Sequence, residues 1–139
     1  MGREKIVAAL NTARSDELAS IHQYMGHHYR AEGPESPAIV ELFEAAAKDE
    51  MKHAEMLAER IVALGGEPTT DRGEIRKGRD LREMVAADLE GERQAIARYR
   101  EQVRLCVELD DPVTRLLLER ILTDEERHAD LWESILGRR

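Results

Sequence analysis

Two copies of a Glu-x-x-His motif are the residues of this sequence most suited to binding a metal ion. The first lies in residues 49–55 (DEMKHAE) and the second in residues 124–130 (DEERHAD). If each segment is an α-helix, residues three apart project from one face, and each motif can present a carboxylate and an imidazole to one ion. A single motif arises easily by chance on a charged helix. Two in matching surroundings predict a metal site.

The two halves of the chain match beyond these motifs. At the same offset, Glu17 recurs as Glu92, and Tyr24 recurs as Tyr99. Matches in both segments of each half predict a single domain over residues 1–139, built as a duplicated helical hairpin from residues 1–66 and 79–139.

Helix start and stop signals divide the chain into four long helices. Gly33-Pro34 and Gly65-Gly66 end the first two, and residues 67–79 lack a helical apolar pattern. This long connection can cross the whole length of a bundle, which lets helices two and three run parallel. The predicted fold is all-α, a four-helix bundle with a long crossover between helices two and three. The predicted helices are Gly2 to Ala31, Ser36 (as N-cap) to Gly65, Asp80 to about Asp110, and Asp111 (as N-cap) to Gly137.

Each predicted helix carries an apolar seam that a glutamate interrupts near the middle. Four carboxylates in one buried layer would repel one another, and an unpaired buried carboxylate costs several kcal/mol. The seams contain no lysine or arginine at that layer, so salt bridges or protonation are the less favoured explanation. Two divalent cations would balance the charge, and carboxylates with imidazoles suit iron or manganese. The predicted ligands of two ions per chain are Glu17, Glu50, His53, Glu92, Glu125 and His128.

Composition argues against a protein that binds nucleic acid, is held by internal disulfides or spans a membrane. The chain has 139 residues, enough for one domain with its own core, and a net charge of -8, which disfavours nucleic acid as a partner. Cys106 is the only cysteine, so no intramolecular disulfide can form. No apolar run reaches the length of a signal peptide or a membrane span, and a cytoplasmic location is expected.

These motifs resemble the bacterioferritins of the ferritin-like superfamily over almost the whole chain. The resemblance is densest at residues 17–24, 49–54, 88–92 and 121–128. It implies that Glu50 and Glu125 bridge two irons, and that the pairs Glu17–His53 and Glu92–His128 each bind one. It also implies a ferroxidase that oxidises Fe(II) with O2 or H2O2 for iron storage or detoxification. Tyr24 matches a tyrosine near that family's iron site, either as an electron donor or as a core residue whose hydroxyl contacts a ligand.

Three further expectations come with the resemblance. Met51 matches the methionine through which bacterioferritin dimers bind haem b, so a homodimer or larger homo-oligomer is expected, with or without haem. Asp49 and Asp124 are candidates for fixing the ligating histidines, or are solvated acids on the helix surface. In that family a short fifth helix follows the fourth and completes a spherical storage shell. This sequence stops at Arg139, directly after the predicted fourth helix, so the resemblance leaves open whether a storage cage forms.

Two other functions fit the same residues. One is a di-iron or di-manganese oxidoreductase without storage, such as a rubrerythrin-like peroxidase or a manganese catalase-like enzyme. Rubrerythrins usually add paired Cys-x-x-Cys motifs, which a single cysteine cannot supply. The other is a structural or haem-binding helical dimer whose metals only stabilise the fold.

Overall fold

Four long helices account for most of the chain. The computed structural model describes residues 2–138, so Met1 and Arg139 of the predicted domain lie outside the described residues. No strand occurs within residues 2–138, and the predicted all-α bundle is confirmed. None of these helices is apolar enough over its length to cross a bilayer. The helices are α1 (Gly2–Arg30), α2 (Ser36–Ala63), α3 (Leu81–Glu108) and α4 (Pro112–Leu136).

Side-chain caps fix the starts of α3 and α4 where the sequence predicted them. Asp80 accepts a hydrogen bond from the backbone N–H of Glu83 at 2.9 Å, and Asp111 accepts one from Thr114 at 3.0 Å. The predicted cap of α2 was wrong. Ser36 is already the first helical residue, and Glu35 occupies the N-cap position without a side-chain capping hydrogen bond. The Ser36 hydroxyl donates to the Gly33 carbonyl at 2.9 Å.

The crossover between α2 and α3 runs along the surface of α1 and is held there by hydrogen bonds. Asn11 donates to the carbonyl of Glu67 at 3.0 Å, and further along the Gly78 N–H donates to Nε2 of His27 at 3.2 Å. The residue numbers of the two partners rise together, so the crossover runs in the direction of α1. It therefore carries the chain back along the bundle, and α3 runs parallel to α2.

The core consists of two apolar clusters with a polar layer between them. One cluster contains Leu10, Leu57 and Ile121, and the other contains Phe43 and Trp132, all buried. On every helix the glutamate of the predicted site lies between residues of the two clusters. The apolar clusters above and below thus hold four helices in the register that brings the four glutamates to one level.

Candidate metal centre

The structure brings all six predicted ligands together in the centre of the bundle. Their side chains are 3% exposed or less. They form two overlapping groups, in each of which the nitrogen and oxygen atoms lie within 4.8 Å of one another. The first group is Glu17, Glu50, His53 and Glu125, and the second is Glu50, Glu92, Glu125 and His128.

Glu50 and Glu125 belong to both groups. Nδ1 of His53 lies 3.4 Å from Oε1 of Glu50 and 3.3 Å from Oε1 of Glu125. Nδ1 of His128 lies 3.4 and 3.7 Å from the same two atoms. Two ligands at right angles, each about 2.1 Å from one ion, would lie about 3 Å apart. These spacings leave room for an ion beside each histidine, with the two glutamates between them.

The remaining two glutamates each face one histidine. Oε2 of Glu17 lies 3.5 Å from Nδ1 of His53, and Oε2 of Glu92 lies 3.6 Å from Nδ1 of His128. The site therefore has two ends, each with one imidazole and one carboxylate that the other end does not share.

Every one of the six side chains has a buried nitrogen or oxygen atom without a hydrogen-bond partner. Such atoms are rare in folded proteins, because each one left unsatisfied costs about 1–3 kcal/mol. They are Oε2 of Glu17, both carboxylate oxygens of Glu50, Nδ1 of His53, Oε2 of Glu92, Oε1 of Glu125 and Nδ1 of His128. All of them converge on the same two positions, so the chemistry of this donor set fits two divalent cations.

Two aspartates hold the histidines from the opposite half of the chain. Nε2 of His53 on α2 lies 2.8 Å from Oδ2 of Asp124 on α4, and Nε2 of His128 on α4 lies 2.8 Å from Oδ2 of Asp49 on α2. With Nε2–H donating to the aspartate, the proton that each ring can lose is the one on Nδ1, and its loss leaves the Nδ1 lone pair facing the cluster. Arg127 donates to both aspartates at 3.3 Å and links the two pairs on the surface.

Two tyrosines hold the outer carboxylates in the same crosswise way. The hydroxyl of Tyr24 on α1 donates to Oε1 of Glu92 on α3 at 2.7 Å, and that of Tyr99 on α3 donates to Oε1 of Glu17 on α1 at 2.5 Å. Nε1 of Trp132 donates to the Tyr24 hydroxyl at 2.9 Å. Sequence reasoning missed the role of Tyr99, although the repeat that pairs it with Tyr24 contained the signal.

The crowding of acids in a buried layer raises the pKa values of the two glutamates that both groups share. Burial raises the pKa of Glu50 well above its ordinary value, and the negative charges of Glu17 and Glu92 raise it further. Burial and neighbouring carboxylates raise the pKa of Glu125 in the same way. Without metal, the cluster therefore retains protons that a cation would displace.

The histidines respond to the same acids. Burial alone would lower the pKa of His128, but the nearby carboxylates of Glu92 and Glu125 attract the protonated ring and raise its pKa to about 9. The pKa of His53 is raised further, because the carboxylates of Glu125, Glu17 and Glu50, each with an oxygen 3.3 to 3.5 Å from Nδ1, outweigh its burial. Burial also acts against ionisation of Glu17, yet its contacts with Glu50 and His53 and the hydrogen bond from Tyr99 lower its pKa.

Met51 lies outside this cluster. It is on α2 directly after Glu50, and 46% of it is exposed. Its side chain therefore lies on the surface of the bundle and takes no part in the metal site.

Comparison with known proteins gives consistent relatives. A model of the ferritin-like domain family matches residues 7–139. A bacterioferritin of Desulfovibrio desulfuricans is 38% identical over 134 residues, which cover 96% of this chain and 75% of the relative. A bacterioferritin of Mycobacterium leprae is 35% identical and is matched over 98% of this chain and 86% of its own length.

Solved structures agree with these relatives. A ferritin-like diiron-carboxylate protein of Bacillus anthracis has a TM-score of 0.94 at 27% identity, with 98% of both chains covered. The D. desulfuricans bacterioferritin, whose diiron site was observed in different catalytic states, has a TM-score of 0.92 at 37% identity, covering 98% of this chain and 80% of that one. The Rhodobacter capsulatus bacterioferritin, with a metal-free dinuclear site and a haem iron in a crystallographic special position, has a TM-score of 0.89 at 31% identity, covering 96% and 84%.

Proposed function

The chain belongs to the ferritin-like family and, within it, to the bacterioferritins, and on that premise we propose that it is a ferroxidase. Its substrate is Fe(II), which it oxidises to Fe(III) with O2 or H2O2 at the six-residue cluster. The observation that supports this most strongly is the set of buried, unpartnered oxygen and nitrogen atoms, to which all six side chains contribute. An apolar protein core retains such atoms when a ligand satisfies them.

The side chains of the cluster have distinct roles in this function. Glu50 and Glu125, which belong to both groups, would be shared by two irons, while Glu17 with His53 and Glu92 with His128 would each hold one. Two Fe(II) ions give up one electron each, which together with two protons reduces one O2 to H2O2 or one H2O2 to two waters. Carboxylates suit both oxidation states because they are hard, anionic ligands.

The residues around the ligands fix them before iron arrives. Asp124 and Asp49 hold the histidine rings by Nε2, and the hydroxyls of Tyr24 and Tyr99 hold Glu92 and Glu17. Since Glu50, Glu125 and the histidines keep protons in the metal-free protein, binding of Fe(II) must release them. The ligands are thus oriented in advance, and iron uptake is coupled to proton release.

A titration of the metal-free protein with Fe(II) in air tests the proposal, with ferric absorbance as the readout. Fast oxidation that saturates near two Fe(II) per chain is expected, and Glu92→Gln should abolish the fast phase because it removes a carboxylate from one end of the site. Glu55→Gln, an exposed acid on the same helix as His53, is the matched control and should oxidise iron like the unsubstituted protein. Oxidation no faster than a protein-free blank would refute the ferroxidase function.

The same titration separates storage from its alternatives. Continued oxidation far beyond two irons per chain, with the product remaining soluble, would demonstrate storage. Saturation at two would support a non-storage di-iron oxidoreductase. Metal analysis of protein purified without added metal then distinguishes iron from manganese. Retained folding without any redox turnover would favour a structural helical dimer.

We also propose that Met51 binds haem between two copies of the chain. Its thioether is exposed on α2, where a second copy related by a twofold axis could present the same atom to one haem iron. Titration with haem should give a spectrum of bis-methionine ligation at one haem per two chains and should increase the dimer fraction. Met51→Leu keeps the apolar surface and removes the sulfur, so it should abolish that spectrum.

A further inference from the structure

Asp88 is a fully buried acid on α3 that does not belong to the metal cluster. It lies four residues before Glu92, so the Cβ atoms of the two residues are about 6 Å apart on one face of the helix. Both side chains, together with that of Tyr24, line one small cleft between α1 and α3. The charge of Asp88 therefore lies beside the end of the metal centre that contains Glu92 and His128.

Two backbone N–H groups of the crossover fix the hydrogen bonds around Asp88. The N–H of Arg76 donates to Oε1 of Gln23 at 2.8 Å, so the amide nitrogen of Gln23 donates to Oδ1 of Asp88, at 2.9 Å. The N–H of Gly78 donates to Nε2 of His27 at 3.2 Å, so the ring carries its proton on Nδ1 and donates it to Oδ2 of Asp88, at 3.0 Å. Because a backbone N–H can only donate, His27 is neutral and Asp88 is held as a carboxylate by two donors.

The charge of this carboxylate is not balanced by a neighbouring side chain. Its two donors are neutral, and within residues 2–138 no lysine or arginine forms an ion pair with Asp88. Burying an unpaired charge is unfavourable. A divalent cation bound by Glu92 and His128 would offset it.

The other end of the metal centre has a buried cation at the repeat-related place. At the offset of the internal repeat, Gln23 recurs as Arg98, whose guanidinium carbon lies 4.2 Å from the centroid of the Tyr99 ring. Tyr99 donates to Glu17 at 2.5 Å. Nε of Arg98 lies 2.7 Å from Oδ2 of Asp16, but the Asp16 side chain is 48% exposed and that of Arg98 only 16%. Water therefore screens the acid more than the guanidinium, and the Glu17 end retains a positive charge nearby.

The two tyrosines that hold the outer carboxylates reflect this difference between the ends. Burial raises the pKa of both hydroxyls well above its ordinary value. The charges of Glu92 and Asp88 raise the pKa of Tyr24 further. At Tyr99 an acid also raises the pKa, but the positive charge of Arg98 acts in the opposite direction.

The charged groups behind the histidines do not distinguish the two ends. Asp49 and Asp124 each lie 2.8 Å from one histidine, and Arg127 donates to both aspartates at 3.3 Å. The difference in charge therefore comes from Asp88 at one end and Arg98 at the other.

We propose that Asp88 makes the two metal positions unequal, so that the position of Glu92 and His128 fills first and binds its ion more tightly than the position of Glu17 and His53. Arg98 increases the difference because it repels a cation from the second position. The proposal rests on the ferroxidase function and adds to it an order in which Fe(II) is loaded. The crossover takes part, since its N–H groups keep Asp88 ionised.

One equivalent of Co(II) per chain, added to the metal-free protein before crystallisation, tests this order. Anomalous scattering at the cobalt absorption edge measures the occupancy of each position, and calorimetry in solution gives two dissociation constants. Cobalt is expected mainly beside His128, with a first dissociation constant at least about tenfold smaller than the second.

Three variants separate the effect of charge from that of structure. Asp88→Asn should weaken the tighter position by about tenfold or more and shift cobalt toward His53. Arg98→Gln should tighten the weaker position by about threefold, a direction that damage to packing would not produce, whereas Arg98→Lys keeps the charge and should retain most of the original difference. If Asp88→Asn fails to fold, the two variants of Arg98 decide the question.

The matched control is Arg104→Gln, which removes the same charge from α3 at a side chain that is 65% exposed, and it should change neither constant. Equal occupancy at one equivalent, or a preference for the position beside His53, would overturn the proposal and leave the ferroxidase function intact. An unchanged ratio of occupancies in Asp88→Asn, or no tightening in Arg98→Gln, would overturn it as well. Failure of Co(II) to bind the unsubstituted protein would instead contradict the metal centre itself, and the order of loading with it.

Discussion

His128 should make the stability of the metal-free protein depend on pH. In the folded state the acids around it raise its pKa from 6.5 to about 9, whereas in the unfolded chain it titrates at its ordinary value. Between these two values the unfolded state loses the proton and the folded state keeps it. The folded state then binds more protons, so the free energy of unfolding falls as the pH rises.

The magnitude follows from the width of this window. The difference between 9 and 6.5 is 2.5 pH units, and one unit corresponds to about 1.4 kcal/mol, so His128 alone accounts for about 3 kcal/mol. For a chain of this size that is roughly 10 °C in Tm. The pKa of His53 is raised in the same direction, and those of Glu50 and Glu125 are also raised, so no other group of the cluster reverses the trend in this window.

Thermal unfolding followed by circular dichroism at several pH values from 6.5 to 9, in the presence of a chelator, measures this effect. His128→Gln removes one proton that the folded state retains and should reduce the slope of the free energy of unfolding by about 1.4 kcal/mol per pH unit. Saturating Co(II) should remove or invert the slope, because the metal binds the deprotonated ligands. A Tm of the metal-free protein that stays constant or rises over this range would refute the argument.

Three substitutions test the groups that hold the ligands. Tyr99→Phe leaves a buried oxygen of Glu17 without a donor and should lower the stability of the metal-free protein by about 1–3 kcal/mol in chemical denaturation. Asp124→Asn removes the carboxylate behind a ligating histidine and should weaken Co(II) binding by about 10–100-fold in calorimetry. Arg127→Gln should weaken it only a few-fold, and less at high salt, because this side chain is 63% exposed. Lys52→Gln, at the repeat-related position, is its control and should bind Co(II) normally.

Much of the fold could be predicted because its signals are local. The apolar period, the interrupting glutamates and the caps at Asp80 and Asp111 each depend on a few neighbouring residues. The cap of α2 failed for a local reason too. The helix begins one residue before the position that the preference for a serine cap indicates, with Glu35 at the N-cap and no side-chain capping hydrogen bond.

The details of the site were less accessible because they depend on the relative placement of helices. Asp49 and Asp124 were candidates for holding histidines, but the sequence does not show that each holds the histidine of the other half. That choice follows from how α2 and α4 approach each other. The path of the crossover along α1 likewise depends on tertiary hydrogen bonds, such as that from Gly78 to His27.

The crosswise bonds mean that neither hairpin can build a complete metal position alone. His53 comes from the first hairpin, but its aspartate Asp124 and the shared Glu125 come from the second. Two separately expressed hairpins would therefore bind metal tightly only as a pair. At a metal concentration 100 times the dissociation constant, the ion would add about 2.7 kcal/mol to their association. Metal would then hold the two fragments together, and a chelator that removes the metal would let them dissociate.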